Sequence, residues 1–422
     1  MSLDSNLREE LKCLINKAIS LENRANQGKP VRYWYPLSMA TYGADEILES
    51  LDSMCAFRTS MWEKTLDFER RFSTYLGCFD SVMVNSGSSA DLLMAYLLTN
   101  PRRPHLKAGD EILIPIVTWP THVWSAMMAG LRVTFVDVDP ETCNVDLDDL
   151  ERKITSRTKA IFLVHLLGNP CDMLKINKIA EAHNLLILED CCEALGADFN
   201  GKKVGTFGLV GSFSFFFSHH ITTMEGGMIS CNDSATVDEL KILRAHGWSR
   251  NASRPVTEEL EPGIDPRYAF VNWGFNVRPT DINAAFGLHQ LKKLTEFNSR
   301  RDKIFERFKS HVTGKGMPIR FPAVHEKATP SWLAIPMIVN SNSGEVRKRF
   351  CDYLELNGVE TRPIVAGNLS RHPVAKLFPE LARGEFEGAN QVHDNGLYIG
   401  LSPMASDALI DRLLEVIDGF EW

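Results

Sequence analysis

The chain of 422 residues contains no run of lysines or arginines, and its net charge is -8. That argues against nucleic acid as a main partner. It leaves room for a small anionic ligand, which needs only a local site. No window approaches 18 uninterrupted apolar residues, so no transmembrane helix is expected. The opening stretch MSLDSNLREELKCLINKAIS lacks the apolar core of a secretion signal. Its Leu7, Leu11, Leu14, Ile15 and Ala18 instead suit one face of an amphipathic helix. Nine cysteines are scattered over the chain, an odd number, which points to reduced thiols in a cytoplasm. Cys191 and Cys192 are adjacent, a poor geometry for a disulfide. There is no internal repeat and no low-complexity linker.

What remains is an ordinary globular composition, 24% charged and 44% hydrophobic, with length for two or three domains. From about residue 80 to 232 short apolar runs alternate with amphipathic segments. SVMVNSG, DEILIPIV, LRVTFVDV, KAIFLVHLLG and LLILED read as strands, and SADLLMAYLLTN and DMLKINKIAEAHN as helices. The continuous apolar runs are those of strands buried on both faces. The pattern predicts an α/β fold around a mainly parallel sheet, with the ligand site beyond the carboxyl ends of its strands. After about residue 300, RRDKIFERFKSHV, SWLAIPMIV, SGEVRKRFCDYLELNG and DALIDRLLEVIDGF predict a smaller α+β unit. The expected division is an N-terminal helical arm (1–35), a large domain (36–300) and a small C-terminal domain (301–422).

Several residues that follow apolar runs carry chemistry. In NSGSSADLL, Gly87 and Ser88 open a helix whose free N–H groups and hydroxyls suit a phosphate; an ordinary serine cap reads equally well. Asp190 ends a buried strand in LILEDCCEALGA, where a carboxylate needs a cationic or hydrogen-bonding partner. Either a protonated pyridine ring or a structural ion pair would serve. Trp119 in PIVTWPTHVW is a core aromatic or a plate for a flat cofactor. Ser214 in SFSFFFS offers one more hydroxyl, and a pair of histidines, His219 and His220, sits in the turn that follows.

Taken together, VNSGSSADLL, VTWPTH, LEDCCEALGA, GSFSFFFSHHITTMEGGMIS and GFNVRPTDINAAFGLHQL resemble the sugar aminotransferase family of fold-type I pyridoxal phosphate enzymes. The likeness covers roughly residues 35 to 420. In that family a lysine in the window before EGG binds the cofactor covalently. Here His219 takes the lysine position and His220 the next one, and no lysine lies between Lys203 and Lys241. That departure resembles the histidine-bearing sugar 3-dehydratases. The segment ETRPIVAGNLSRHP is similar to the GDP-4-keto-6-deoxy-D-mannose 3-dehydratase subgroup. A related CDP-sugar enzyme carries an iron–sulfur cluster on clustered later cysteines. Here only Cys351 lies beyond Cys231, so the resemblance is to the cluster-free members.

The resemblance implies pyridoxal or pyridoxamine phosphate as cofactor, with its phosphate at Gly87, Ser88 and Ser214. It implies Asn276 reaching that phosphate from the partner subunit of a homodimer, Asp190 at the ring nitrogen, Trp119 on the ring and Glu193 near the ring oxygen. His219 is the implied base, since imidazole moves protons near neutral pH. His220 and His165 read as structural. Glutamate would supply the amine, and a 4-keto-6-deoxy nucleotide sugar would lose its carbon 3 hydroxyl, with release of ammonia and a 3-deoxy-4-keto sugar. An aminotransferase using free pyridoxamine phosphate, or a non-catalytic regulatory member, are the other readings. Arg250, Arg278 and Arg362 are unassigned arginines available to a diphosphate or a carboxylate.

Overall fold

The apolar runs become strands because each is bounded by turn formers and is short enough to be buried from end to end. The computed structural model describes residues 4–26, 28–253, 260–341 and 343–422. Seven strands form the large sheet: β1 (Asp80–Val84), β2 (Glu111–Pro115), β3 (Arg132–Val136), β4 (Thr158–Val164), β5 (Leu186–Asp190), β6 (Val210–Ser214) and β7 (Gly227–Cys231). Their spatial order is β1-β7-β6-β5-β4-β2-β3. β7 runs antiparallel to both neighbours, and the other pairs are parallel. Strands β2, β6 and β7 are buried along their whole length, although β6 (VGSFS) and β7 (GMISC) carry serines and glycines among their apolar residues. The chain is thus a mixed α/β protein built on a large, mostly parallel sheet.

Two expectations need adjusting. The apolar run KAIFLVHLLG does not stay extended: the strand ends at Val164, and Leu166–Gly168 forms a single 3₁₀ turn in which Leu167 has φ +49°. The His165 N–H makes the last ladder bond, to the Asp190 carbonyl of β5, and the Leu167 N–H leaves the ladder for the Glu193 carboxylate. The helix expected from residue 300 is the second half of one 34-residue helix, Asp281–Gly314, which passes that point unbroken.

That long helix enters the core of the C-terminal unit through Ile304, Phe305 and Phe308. The unit carries a four-stranded antiparallel sheet, in spatial order Ile319–Arg320, Ala334–Val339, Gly396–Gly400 and Thr361–Arg362. The helices Gly344–Leu356 and Asp407–Asp418 accompany it. Tyr35 is buried in the same core and bridges to Val359. The N-terminal helix Ser5–Asn26 is tied to the helix Ala44–Cys55 by Arg8–Glu49 (2.8 Å) and Lys12–Asp45 (2.7 Å). Of its apolar stripe only Leu11 and Ile15 are half-buried, whereas Leu7, Leu14 and Ala18 are exposed. Among the described residues no helix is long and apolar enough to cross a membrane. All nine cysteines are free thiols.

Candidate active site

The carboxyl ends of β1, β2, β4, β5 and β6 open on one cleft of about 390 Å³. Its floor comes from the turn after β1. Ser86 caps the helix Gly87–Leu98, its hydroxyl accepting the Ser89 N–H at 3.0 Å. The first turn is therefore held with its remaining N–H groups free for an anion. Ser88 is fixed by a 3.1 Å contact with the Thr121 hydroxyl. Gly87 is required by space: a Cβ there would lie 2.7 Å from Ser214 Cβ and 3.0 Å from Cys192 Sγ. The backbone of Gly87 and the hydroxyls of Ser88 and Ser214 thus converge on one concavity.

Asp190, at the end of β5, is buried in the cleft wall. It accepts the Cys192 N–H at 2.6 Å and a hydrogen bond from His122. Burial pushes its carboxyl upward, but the charge and hydrogen bond of His122 outweigh this and hold it below the usual carboxylate range. Trp119 follows β2 and stands 58% exposed at the mouth, so it is not core packing. Glu193 lines the cleft and accepts the Leu167 N–H at 2.8 Å, and burial pushes its carboxyl up to about 7.

The two histidines have opposite fates. His219 lines the cleft, and its Nδ1–H donates to the Cys192 carbonyl at 2.6 Å. A carbonyl only accepts, so this bond fixes the tautomer and leaves Nε2 with a free lone pair. Burial lowers its basicity below the ordinary imidazole value, which keeps the ring neutral at physiological pH. His220 points away. Its Nε2–H donates to the Ser331 carbonyl at 2.9 Å, and Arg301 of the long helix reaches its carbonyl oxygen at 3.3 Å. His165 is a core histidine between the Cys171 N–H (3.0 Å) and Glu189 (3.2 Å).

Asn276 is exposed, its backbone bridges to Ala245, and it does not line the cleft of its own chain. Arg250 lies over the Trp248 ring, and Arg362 pairs with Glu360 at 2.8 Å. Neither lines the cleft, nor does Arg278. Sequence reasoning missed Tyr398, which enters from the C-terminal sheet, and the buried pair Asp91 and His122. Tyr398 had no local signal. His122 had one: it follows Trp119 by three residues, about one helical turn.

Residues 43–418 match the model of the DegT/DnrJ/EryC1/StrS aminotransferase family. The chain belongs to this family. Among the family's relatives it is 38% identical, over 391 residues, to the GDP-4-keto-6-deoxy-D-mannose 3-dehydratase of Escherichia coli, covering 91% of this chain and 99% of the relative. A solved structure of the E. coli GDP-4-keto-6-deoxy-D-mannose 3-dehydratase with bound hydrated PLP superposes with a TM-score of 0.85 at 37% identity, covering 91% of this chain and 99% of that one. The GDP-perosamine synthase of Caulobacter vibrioides is 32% identical, covering 89% and 94%.

Proposed function

We propose that this chain is a cluster-free, pyridoxal phosphate-dependent 3-dehydratase of GDP-4-keto-6-deoxy-D-mannose, with glutamate as amine donor. The observation that carries the reading is His219: an imidazole with a free Nε2 stands in the cleft, and among the described residues no lysine lines that cleft. Imidazole cannot anchor the cofactor covalently, so the group is held by contacts alone.

The residues present fit pyridoxal phosphate. The concavity at Gly87, closed to any side chain, suits a phosphate beside the helix N-terminus, with Ser88 and Ser214 as hydroxyl donors. The ionised Asp190 suits a protonated ring nitrogen, and the exposed face of Trp119 suits the ring. When bound, the cofactor supplies an electron sink through which the substrate's carbon 3 hydroxyl is expelled.

The chain's own residues then have defined tasks. His219 Nε2 takes a proton, and the Cys192 carbonyl keeps the ring from rotating as it does so. The nearby Asp190 charge favours the imidazolium so formed. Glu193 holds its own proton near neutral pH and offers a donor inside the cleft. Tyr398, whose phenol burial pushes up to about 12, remains an O–H donor throughout. Amination through a lysine-bound cofactor calls for a primary amine, and none of the described residues lining this cleft is a lysine.

The active unit is proposed to be a homodimer in which Asn276 completes the phosphate site of the second subunit. Its exposure and its absence from the lining of its own cleft support this. The arm, large domain and small domain are proposed as the three units of the chain, the last two joined through the helix Asp281–Gly314. The deciding experiment is incubation with pyridoxal phosphate, glutamate and GDP-4-keto-6-deoxy-D-mannose. Loss of water from the sugar by mass spectrometry, with ammonia release, is expected. A 4-amino sugar as the main product would overturn the reading.

A further inference from the structure

Beneath the cleft the structure places a second buried carboxylate that the proposed chemistry does not use. Asp91 lies on the inner face of the helix Gly87–Leu98, 3% exposed. Its Oδ1 accepts the Ser212 hydroxyl at 2.6 Å. Its Oδ2 is 3.6 Å from His122 Nε2, the same nitrogen that is hydrogen-bonded to Asp190. The other nitrogen of His122 faces the Thr118 hydroxyl. Two carboxylates therefore share one edge of one fully buried imidazole, with no other cation in the group. The Cys192 thiol also faces Asp91 and is kept protonated by burial, and Glu193, His219 and Glu225 line the same cleft.

Burial disfavours an imidazolium at His122, yet the two carboxylates prevail and raise its value to about 9. One positive charge cannot satisfy two buried negative ones. The better bond goes to Asp190. Asp91 is left with burial and the repulsion of Asp190, and both raise it above the carboxylate range.

We infer that Asp91 is a positioning residue for the charge of Asp190, and that it releases a proton when a cationic ring nitrogen binds at Asp190. The inference rests on the cofactor reading above. Burial is the main effect that keeps Asp91 protonated, and the Asp190 repulsion adds to it. A positive ring at Asp190 offsets that repulsion and adds a favourable charge against the burial, so the Asp91 proton passes to solvent as the ring binds. By linkage, ring binding tightens as the pH rises through the range where free-protein Asp91 titrates.

The test uses cofactor-free full-length protein titrated with pyridoxamine phosphate by calorimetry, in buffers of different ionisation enthalpy between pH 6 and 8. Protons that come from the ligand's own phosphate and amine are common to all variants and cancel in the comparison. Wild type should release more protons than Asp91→Asn, and the pH dependence of its Kd should be steeper. Ser212→Ala, which removes the donor that favours ionised Asp91, should move the midpoint of the release to higher pH. Equal release in wild type and Asp91→Asn overturns the inference. If Asp91→Asn does not fold, an unmoved midpoint in Ser212→Ala does so. Absence of pyridoxamine phosphate binding to wild type overturns the cofactor reading itself, and is told apart from these results because it leaves no binding heat.

Discussion

The Nδ1 of His219 lies 2.6 Å from the carbonyl oxygen of Cys192, and that bond leaves the Nε2 lone pair free for the role of base proposed for it. It ties the turn after β6 to the turn after β5 and decides which imidazole nitrogen carries the proton. Replacing His219 with asparagine keeps polarity and a donor for that carbonyl but removes the basic nitrogen. With pyridoxamine phosphate supplied ready-made, dehydration should fall by about 10²–10⁴-fold, the usual contribution of positioned acid–base catalysis. Cofactor affinity should hardly move. Wild-type turnover in this variant would transfer the role of base elsewhere.

The pH profile should have two limbs. His219 is depressed below its ordinary value by burial, so kcat/KM should rise with pH through a value below 6.5 and then level. Glu193 is raised to about 7 by burial, so any step using its proton fades as the pH climbs past neutrality. Glu193→Gln keeps the acceptor for the Leu167 N–H, and should flatten the alkaline limb while leaving the acid limb in place. Rate measurements from pH 5.5 to 8.5 on both proteins check this, and an unchanged alkaline limb refutes the role of Glu193.

Because none of the described residues lining the cleft is a lysine, borohydride should not fix pyridoxal phosphate to the protein. Intact-mass measurement after reduction should show the unmodified chain, and dialysis should strip the cofactor. A stoichiometric adduct at any single lysine would contradict the geometry.

Gly87→Ala tests the cradle. The added methyl would sit 2.7 Å from Ser214 Cβ and 3.1 Å from its hydroxyl oxygen, so Ser214 or the helix start must shift. Overpacking of this kind costs about 1–3 kcal/mol. A loss of roughly tenfold or more in pyridoxamine phosphate affinity is expected by fluorescence titration, with a modest fall in Tm. Unchanged affinity would place the phosphate elsewhere.

Mixed dimers test the contribution of Asn276. A His219→Asn chain and an Asn276→Ala chain, each nearly inactive alone, should recover activity when unfolded and refolded together, since one site of each hybrid would be intact. No recovery in a mixture shown by native mass spectrometry to contain hybrids would assign Asn276 to its own subunit.

The residues themselves determined the strand runs, the parallel α/β architecture and the positions of Gly87, Ser88, Trp119, Asp190, Glu193 and His219 at strand ends. These were legible because burial on two faces demands unbroken apolar runs, and ligand sites in such sheets gather past the carboxyl ends. The missing lysine was likewise a fact of the sequence alone. What only the tertiary structure decided is which polar groups meet. His219 and His220 are neighbours in the chain, yet one imidazole faces the Cys192 carbonyl and the other the Ser331 carbonyl, 111 residues away. Asp91, His122 and Asp190 come from three separate segments, and Tyr398 from the C-terminal sheet. The end of β4 at Val164 was settled in the same way, by the Glu193 carboxylate taking the Leu167 N–H out of the ladder. Hydrophobic burial is written in the local pattern of side chains. A hydrogen bond or a shared charge needs two partners, and their meeting is fixed only when the chain has closed.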